Sequence, residues 1–298
     1  MDIGSCRLHF NQQGVAAPAV ILEAGIAATS LSWWYVQPRV AGFARVCSYD
    51  RAGLGWSTAC RAPRSTEQLV FELRTLLRNA QVAPPYVLVG HSFGGLLVRA
   101  YAYLHPEEVA GIVMVDPVSL IQWANGNDSE LGRLARGVRL SRRGALLARI
   151  GVVRLALWLA AIGGRRLPNL IARASAGKGT SAIDRLIGEV RKLPPEIWPL
   201  VRAHWSRAKS FRAMAALLEA LPTNARAALA MPLREDIPLT VLSASTATQA
   251  ELAERESWAR QSRRGRHIQL ENCGHWLHLD VPDAVTAAIR ELVELARA

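Results

Sequence analysis

Residues 86–104, YVLVGHSFGGLLVRAYAYL, decide the fold. Tyr86 to Gly90 is a short apolar run closed by Gly, as a buried strand would be. Gly94 to Leu104 is helical in character. Between them stands Gly90-His91-Ser92-Phe93-Gly94, a G-x-S-x-G pattern. The pattern alone arises easily by chance; its place between a strand and a helix makes it specific. A serine on so tight a turn needs small residues on both sides, and Gly90, Gly94 and Gly95 supply that room. The turn would expose the Ser92 hydroxyl above the carboxyl edge of a sheet. It would also aim the Phe93 N–H and a helix N-terminus at developing negative charge. The plain alternative is a helix start at which Ser92 merely caps.

Strand and helix signals alternate on both sides of this stretch. Pro18 to Gly25 (PAVILEAG), Ala44 to Asp50 (ARVCSYD) and Val109 to Val115 (VAGIVMV) read as further buried strands. Thr66 to Ala80 carries Leu69, Val70, Leu73, Leu76 and Leu77 at helical spacing. Alternation resumes with Ile237 to Ala244 (IPLTVLSA), a charged helix near Glu251 to Gln261, the strand RHIQLE (Arg266 to Glu271) and a last helix from Pro282. Such alternation implies an α/β fold: a mostly parallel sheet covered on both faces. Val118 to Arg234 breaks the pattern with helical stretches and no β-rich run. That is too long for an ordinary loop. The expected organisation is a core of residues 1–116 and 236–298 with a helical lid, 117–235, inserted between its halves.

Charge marks the same boundary. The chain of 298 residues has a formal net charge of +12. Pro117 to Glu235 holds 20 basic and 7 acidic residues, whereas the rest holds 16 and 17. The bland reading is a solvated Arg-rich helical surface. The sharper one is peripheral contact with anionic membrane or acidic ligands. No helix-turn-helix, zinc or aromatic RNA-binding signature accompanies the charge, so nucleic acid is not an expected partner. Gly144 to Gly164 is apolar, but Arg149 and Arg154 interrupt it. Its longest uncharged run, Leu155 to Gly164, is half of the roughly 20 residues a bilayer span needs. Cys6, Cys47, Cys60 and Cys273 are far apart, which fits a reducing compartment rather than a disulfide scaffold. The opening MDIGSCRLHF lacks a basic and then apolar leader, so a cytoplasmic location is expected.

Gly90-His91-Ser92-Phe93-Gly94-Gly95 resembles the nucleophile elbow of the α/β-hydrolase superfamily. Gly274-His275, in NCGHWLHLDVPDAV, resembles the family's catalytic histidine loop. EAGIAATSLSWW resembles its oxyanion loop, and SYDRAGLGWS its turn after the next strand. The resemblance implies an α/β-hydrolase fold, with the insertion where the family places its lid. It also implies Ser92 as nucleophile and His275 as base, the oxyanion being held by the N–H groups of Ile26 and Phe93. Many relatives have His where this chain has Ala24, so side-chain anchoring of the oxyanion loop is expected to be lost. Most relatives place an Asp after the strand that follows the lid; here that stretch is LSASTATQAE. The alternatives are Asp116, at the end of the strand after the elbow, Glu251 or Glu254, or a weakened dyad without an acid. Asp116 preserves the order Ser, Asp, His.

His278 is expected to line the site or bond the backbone, and Trp33 or Trp34 to form a pocket wall or core. His91 should point away from Ser92 and sit under the elbow, while His9, His105, His204 and His267 read as structural or exposed. Leucines, arginines and Trp123, Trp158, Trp198 and Trp205 dominate the insertion, which suggests an apolar substrate. Leu131, Leu134 and Val138 oppose Arg133, Arg136, Arg139 and Arg143 in a helical pattern that Gly132 and Gly137 weaken. Dehalogenases and epoxide hydrolases of this fold use Asp as nucleophile, and Ser92 argues against both. No metal or nucleotide signature appears, so neither metal nor cofactor is expected. The resulting expectation is a cofactor-independent serine hydrolase cleaving esters of apolar acyl or alcohol groups. Lactone, amide or C–C bond hydrolysis, perhydrolysis and acyl transfer would share the same residues. The rival from another class is a slow or non-catalytic receptor for a small ligand.

Overall fold

The computed structural model describes residues 1–161, 189 and 191–298. Seven strands among them form one sheet in the order β1-β3-β2-β4-β5-β6-β7. They are β1 (Phe10–Gln13), β2 (Ala19–Glu23), β3 (Val46–Tyr49), β4 (Tyr86–His91), β5 (Val109–Val115), β6 (Leu239–Ser243) and β7 (Gly265–Gln269). All pairings are parallel except β1 with β3, which is antiparallel. The edge strand β1, FNQQ, is polar and half-exposed, so no apolar run announces it in the sequence.

Both faces of the sheet are covered, which is why its central strands read as unbroken apolar runs. On β4, Tyr86 and Leu88 enter one core while Val87 and Val89 enter the other. The first core packs against α2 (Thr66–Asn79) and α3 (Phe93–Leu104). The second packs against α1 (Val36–Ala41) and α11 (Pro282–Leu295), the latter burying Val285, Ile289, Leu292 and Val293. Ser65 caps α2 by accepting the Gln68 N–H, and Glu67 in the first turn suits the helix dipole. The remaining core helix, α9 (Gln249–Ala259), starts with a Thr248/Glu251 capping box.

Between β5 and β6 the chain leaves the sheet for α4 (Leu120–Ala124), α5 (Asp128–Arg149), α6 (Val152–Ala161), α7 (Trp198–Trp205) and α8 (Ala208–Leu229). The end of the apolar stretch Gly144 to Gly164 and the basic residues Arg165, Arg166, Arg173, Lys178 and Arg185 lie outside the described residues. Helix α5 runs unbroken through Gly132 and Gly137. A Cβ at Gly144 would stand 2.5 Å from the Phe211 ring, so this glycine lets α8 approach closely. The buried face of α5 is Leu134, Val138, Ser141 and Ala145; Leu131, expected on that face, is exposed. Helix α8 is tied to the sheet side: Leu217, Leu221, Ala225 and Ala228 join the first core. Asn224 accepts the Thr66 N–H at 3.1 Å and donates to the Arg64 carbonyl at 2.9 Å, so α8 is pinned to the start of α2.

The joint between β4 and α3 is the tightest place in the fold. Ser92 has φ 53° and ψ −117°, a conformation that costs a non-glycine residue on the order of 1–3 kcal/mol. A Cβ on Gly90 would lie 2.4 Å from the Gly94 carbonyl oxygen, and one on Gly94 would lie 2.3 Å from the Glu23 carbonyl oxygen. Both obstacles are backbone and cannot swing aside. Gly94→Ala should therefore cost about 2–3 kcal/mol by overpacking, read as a lowered midpoint in urea denaturation.

Candidate active site

Three chain segments converge at the carboxyl edge of the sheet. The turn after β4 presents Ser92, Asp116 directly follows β5, and the loop after β7 carries His275. The His275 Nε2 lies 3.0 Å from Ser92 Oγ, and its Nδ1 lies 2.6 Å from Asp116 Oδ2. Serine, imidazole and carboxylate thus form one hydrogen-bonded line. The Asp116 side chain is buried, whereas that of His275 is 47% exposed. Asp116 adopts φ 42°, a left-handed conformation that Asp tolerates better than most residues.

Asp116 is held from several sides. The Ala244 N–H donates to Oδ1 at 2.9 Å, and the Arg255 guanidinium donates to the same oxygen at 2.7 Å. Burial acts to raise its pKa; the hydrogen bond to His275 and the charge of Arg255 outweigh it and keep the carboxyl below the ordinary Asp range. The other candidate acids are engaged elsewhere. Glu251 closes the capping box of α9. Glu254 is buried and accepts the Leu120 and Ile121 N–H groups at 2.9 and 3.0 Å, so it caps α4.

The loop after β2 lies against the Ser92 turn. A Cβ on Gly25 would stand 3.1 Å from His91 Nδ1 and 3.6 Å from the Ser92 Cβ, which places the neighbouring Ile26 beside the serine. Among the described residues the Ile26 N–H donates to no backbone carbonyl. The Phe93 N–H is the first of α3 and has no partner within the helix. Neither N–H has a hydrogen-bond partner among the described residues. The expected loss of loop anchoring at Ala24 needs correction. Arg51, buried in the turn after β3, donates to the Ala24 carbonyl at 2.7 Å and to the Gly25 carbonyl. Its charge is balanced by a hydrogen bond to the buried Glu23, which also accepts from the Tyr49 hydroxyl. β2 and β3 are adjacent in the sheet, so a side chain at the end of one reaches the loop at the end of the other.

The remaining histidines and tryptophans sort by burial. His91 is buried under the elbow, and its Nε2 bonds the His275 carbonyl oxygen at 2.8 Å. Burial and the neighbouring imidazoles keep it neutral, well below the usual histidine range. His278 differs from expectation. It is fully buried, neither ring nitrogen has a partner among the described residues, and it packs 4.6 Å from Trp33 and 4.4 Å from His91. It neither lines an open site nor bonds the backbone; it fills an aromatic cluster behind His275. Trp33 is core in that cluster, while Trp34 is exposed at the surface. His267 sits between Ser243 Oγ (2.8 Å) and Glu256 (3.3 Å), and His9 pairs with buried Asp50 at 3.3 Å. His204 packs edge-on against Trp56, and His105 lies 3.9 Å from Glu107.

Burial pushes the His278 imidazole down to about 3. The unfolded chain binds this proton below about pH 6.5, and the folded chain does not until far lower pH. Stability should therefore fall as pH drops through that window, by about 2 kcal/mol from this group at pH 5. His278→Phe is expected to flatten the dependence of Tm on pH between 7 and 5, as followed by circular dichroism.

Known proteins resemble parts of this chain in sequence. The chain is 34% identical over 116 residues to the uncharacterized protein YqjL of Bacillus subtilis, a match covering 39% of this chain and 46% of that one. It is also 34% identical over 116 residues to bifunctional epoxide hydrolase 2 of Rattus norvegicus, covering 37% and 20%. The chain spans less than half the length of these curated relatives. Among solved structures, a thermophilic esterase from Thermogutta terrifontis superposes with a TM-score of 0.66 at 21% identity, over 98% of this chain and 95% of that one. At that identity the likeness is one of fold. Residues 18–282 match the profile of the alpha/beta hydrolase fold, and with a seven-stranded, mostly parallel sheet the chain belongs to the α/β-hydrolase superfamily.

Proposed function

We propose that the protein is a cofactor-independent serine hydrolase acting on carboxylic esters with apolar acyl or alcohol groups. The observation that carries this reading is the unbroken line from Ser92 Oγ through His275 to Asp116. Ser92 attacks the ester carbonyl while His275 Nε2 takes the hydroxyl proton. The negative charge on the carbonyl oxygen is held by the Ile26 and Phe93 N–H groups. His275 then passes the proton to the leaving alcohol. Water, activated by the same imidazole, attacks the acyl-enzyme and regenerates Ser92. Asp116 keeps the imidazole in the tautomer with hydrogen on Nδ1 and steadies the imidazolium.

Two partly buried apolar residues adjoin the Ser92 turn through the backbone and favour an apolar group there. Ile26 adjoins Gly25, and the Val118 N–H donates to the Ser92 carbonyl at 3.2 Å. A hydroxyl nucleophile at position 92 supports ester cleavage over the Asp-dependent opening of epoxides. In this reading, residues 117–235 are the lid over the site. Ser92→Ala should abolish hydrolysis of p-nitrophenyl butyrate and labelling by a fluorophosphonate. Asp116→Asn should lower kcat by about 10⁴-fold in a protein that still folds, with Tm lowered because buried Arg255 loses its charge partner. Unlabelled wild-type protein that binds a small apolar ligand tightly would favour a receptor instead.

We also propose peripheral contact with anionic membrane. Among the described residues no helix is long and apolar enough to cross a bilayer. The corner between α5 and α6 exposes Leu146, Ile150 (72%), Leu155 and Trp158 (57%) beside exposed Arg142, Arg143, Arg149 and Arg154. Apolar tips ringed by arginine suit an anionic interface. Co-sedimentation with phosphatidylserine vesicles should be lost in Ile150→Ser/Trp158→Ser and weakened by salt. Equal binding to neutral vesicles, or none at all, counts against it.

A further inference from the structure

We propose that Arg255 is a positioning residue for the acid of the Ser92–His275–Asp116 line: it fixes which carboxylate oxygen faces His275 and draws part of the carboxylate's field away from the imidazole. The proposal rests on the reading of that line as a catalytic triad.

The geometry is that of a fork. Arg255 lies on α9 and its side chain is 3% exposed. Nη1 donates to Asp116 Oδ1 at 2.7 Å, and Nη2 donates to the Pro117 carbonyl at 2.7 Å. The two arms thus grip the carboxylate and the backbone one residue on, across the position where Asp116 adopts φ 42°. The Ala244 N–H fills the remaining demand at Oδ1, so Oδ2 alone is left for His275. Without the fork, rotation about the Asp116 side chain could exchange the two oxygens or tilt the one that holds the imidazole.

The grip has an electrostatic consequence. A guanidinium at 2.7 Å in a buried site attracts the same carboxylate that stabilises the imidazolium during turnover. Arg255 therefore keeps Asp116 ionised while tempering its pull on His275. The arginine is itself held. Nη1 also donates to Ser243 Oγ at 3.0 Å; that oxygen lies 2.8 Å from His267 Nε2, and His267 Nδ1 lies 3.3 Å from Glu256. A polar path thus runs from the acid to the surface through residues of β6, β7 and α9. Among the described residues, the charged and titratable groups facing Asp116 and His275 are Arg255 from α9, His91 from β4, Cys273 from the loop after β7, and His278 from α10 (Leu277–Asp280). His267, on β7, acts through Ser243.

The test is a pH–rate series with p-nitrophenyl butyrate on wild type, Arg255→Met, Arg255→Lys and Ser243→Ala, with fluorophosphonate labelling of Ser92 alongside. Removing the guanidinium should lower kcat roughly 10- to 100-fold with KM nearly unchanged, since a misplaced acid acts on the chemical step. It should also move the acid limb of kcat upward by about one pH unit, because the carboxylate's whole field then falls on the imidazole. Arg255→Lys keeps the charge but not the fork, so its acid limb should stay in place while kcat falls severalfold. Ser243→Ala should follow Arg255→Lys, more mildly. A purely structural Arg255 would lower Tm without moving the limb. A folded Arg255→Met with the wild-type limb overturns the proposal. If Arg255→Met does not fold, wild-type kcat in Arg255→Lys overturns it. Failure of wild-type Ser92 to label would instead tell against the triad itself.

Discussion

A serine forced to φ 53° between a strand and a helix is the constraint on which the site depends. The turn is affordable because Gly90 and Gly94 remove side chains that would collide with backbone at 2.3–2.4 Å. It is locked by the Ser92 N–H donating to the Val115 carbonyl at 3.0 Å and by the Gly95 N–H donating back to the Ser92 carbonyl at 2.9 Å. These bonds set the hydroxyl beside the end of β5, where Asp116 sits. The parallel register of β4 with β5 and of β5 with β6 then brings the Ala244 N–H to the same carboxylate.

Two buried arginines organise the ground on either side of that serine. Arg51 pairs with Glu23 and holds the carbonyls of the loop that carries Ile26. Arg255 pairs with Asp116 and holds the carbonyl of Pro117. Burying a guanidinium is costly, and each is tolerated because a carboxylate and main-chain acceptors replace the lost water. In both cases the arginine comes from a segment adjacent to the one it braces. The site is therefore stiffened by charge pairs in its walls and by an aromatic cluster of Trp33, His91, Trp276 and His278 behind the exposed His275.

Much of this was legible in the chain. Each run read as a strand, from PAVILEAG to RHIQLE, lies in the sheet; the central ones are apolar throughout because both their faces are buried, whereas the edge strand β7 is polar and half-exposed. The polar edge strand β1 was not legible, since pairing with β3 alone makes it a strand. Ser92, His275 and Asp116 could be singled out because each stands at the end of a recognisable strand or on a glycine turn. Arg51 and Arg255 could not be, because nothing local distinguishes an arginine that is buried from one that is solvated. The Arg51 signal was its position directly after a strand that neighbours β2, whose following loop carries Ile26. Arg255 lies mid-helix among charged residues, and its burial depends on how α9 rests on β6.

By itself the sequence determined the α/β alternation and the glycine-flanked serine, because these are properties of spacing and residue size; it left the acid open between Asp116, Glu251, Glu254 and none. Tertiary structure alone decided the rest. It set His278 inside the core, gave Glu254 to the cap of α4, and closed Arg255 on Asp116 across 139 residues. Such contacts follow from which strand ends lie side by side, and no local pattern of residues encodes that adjacency.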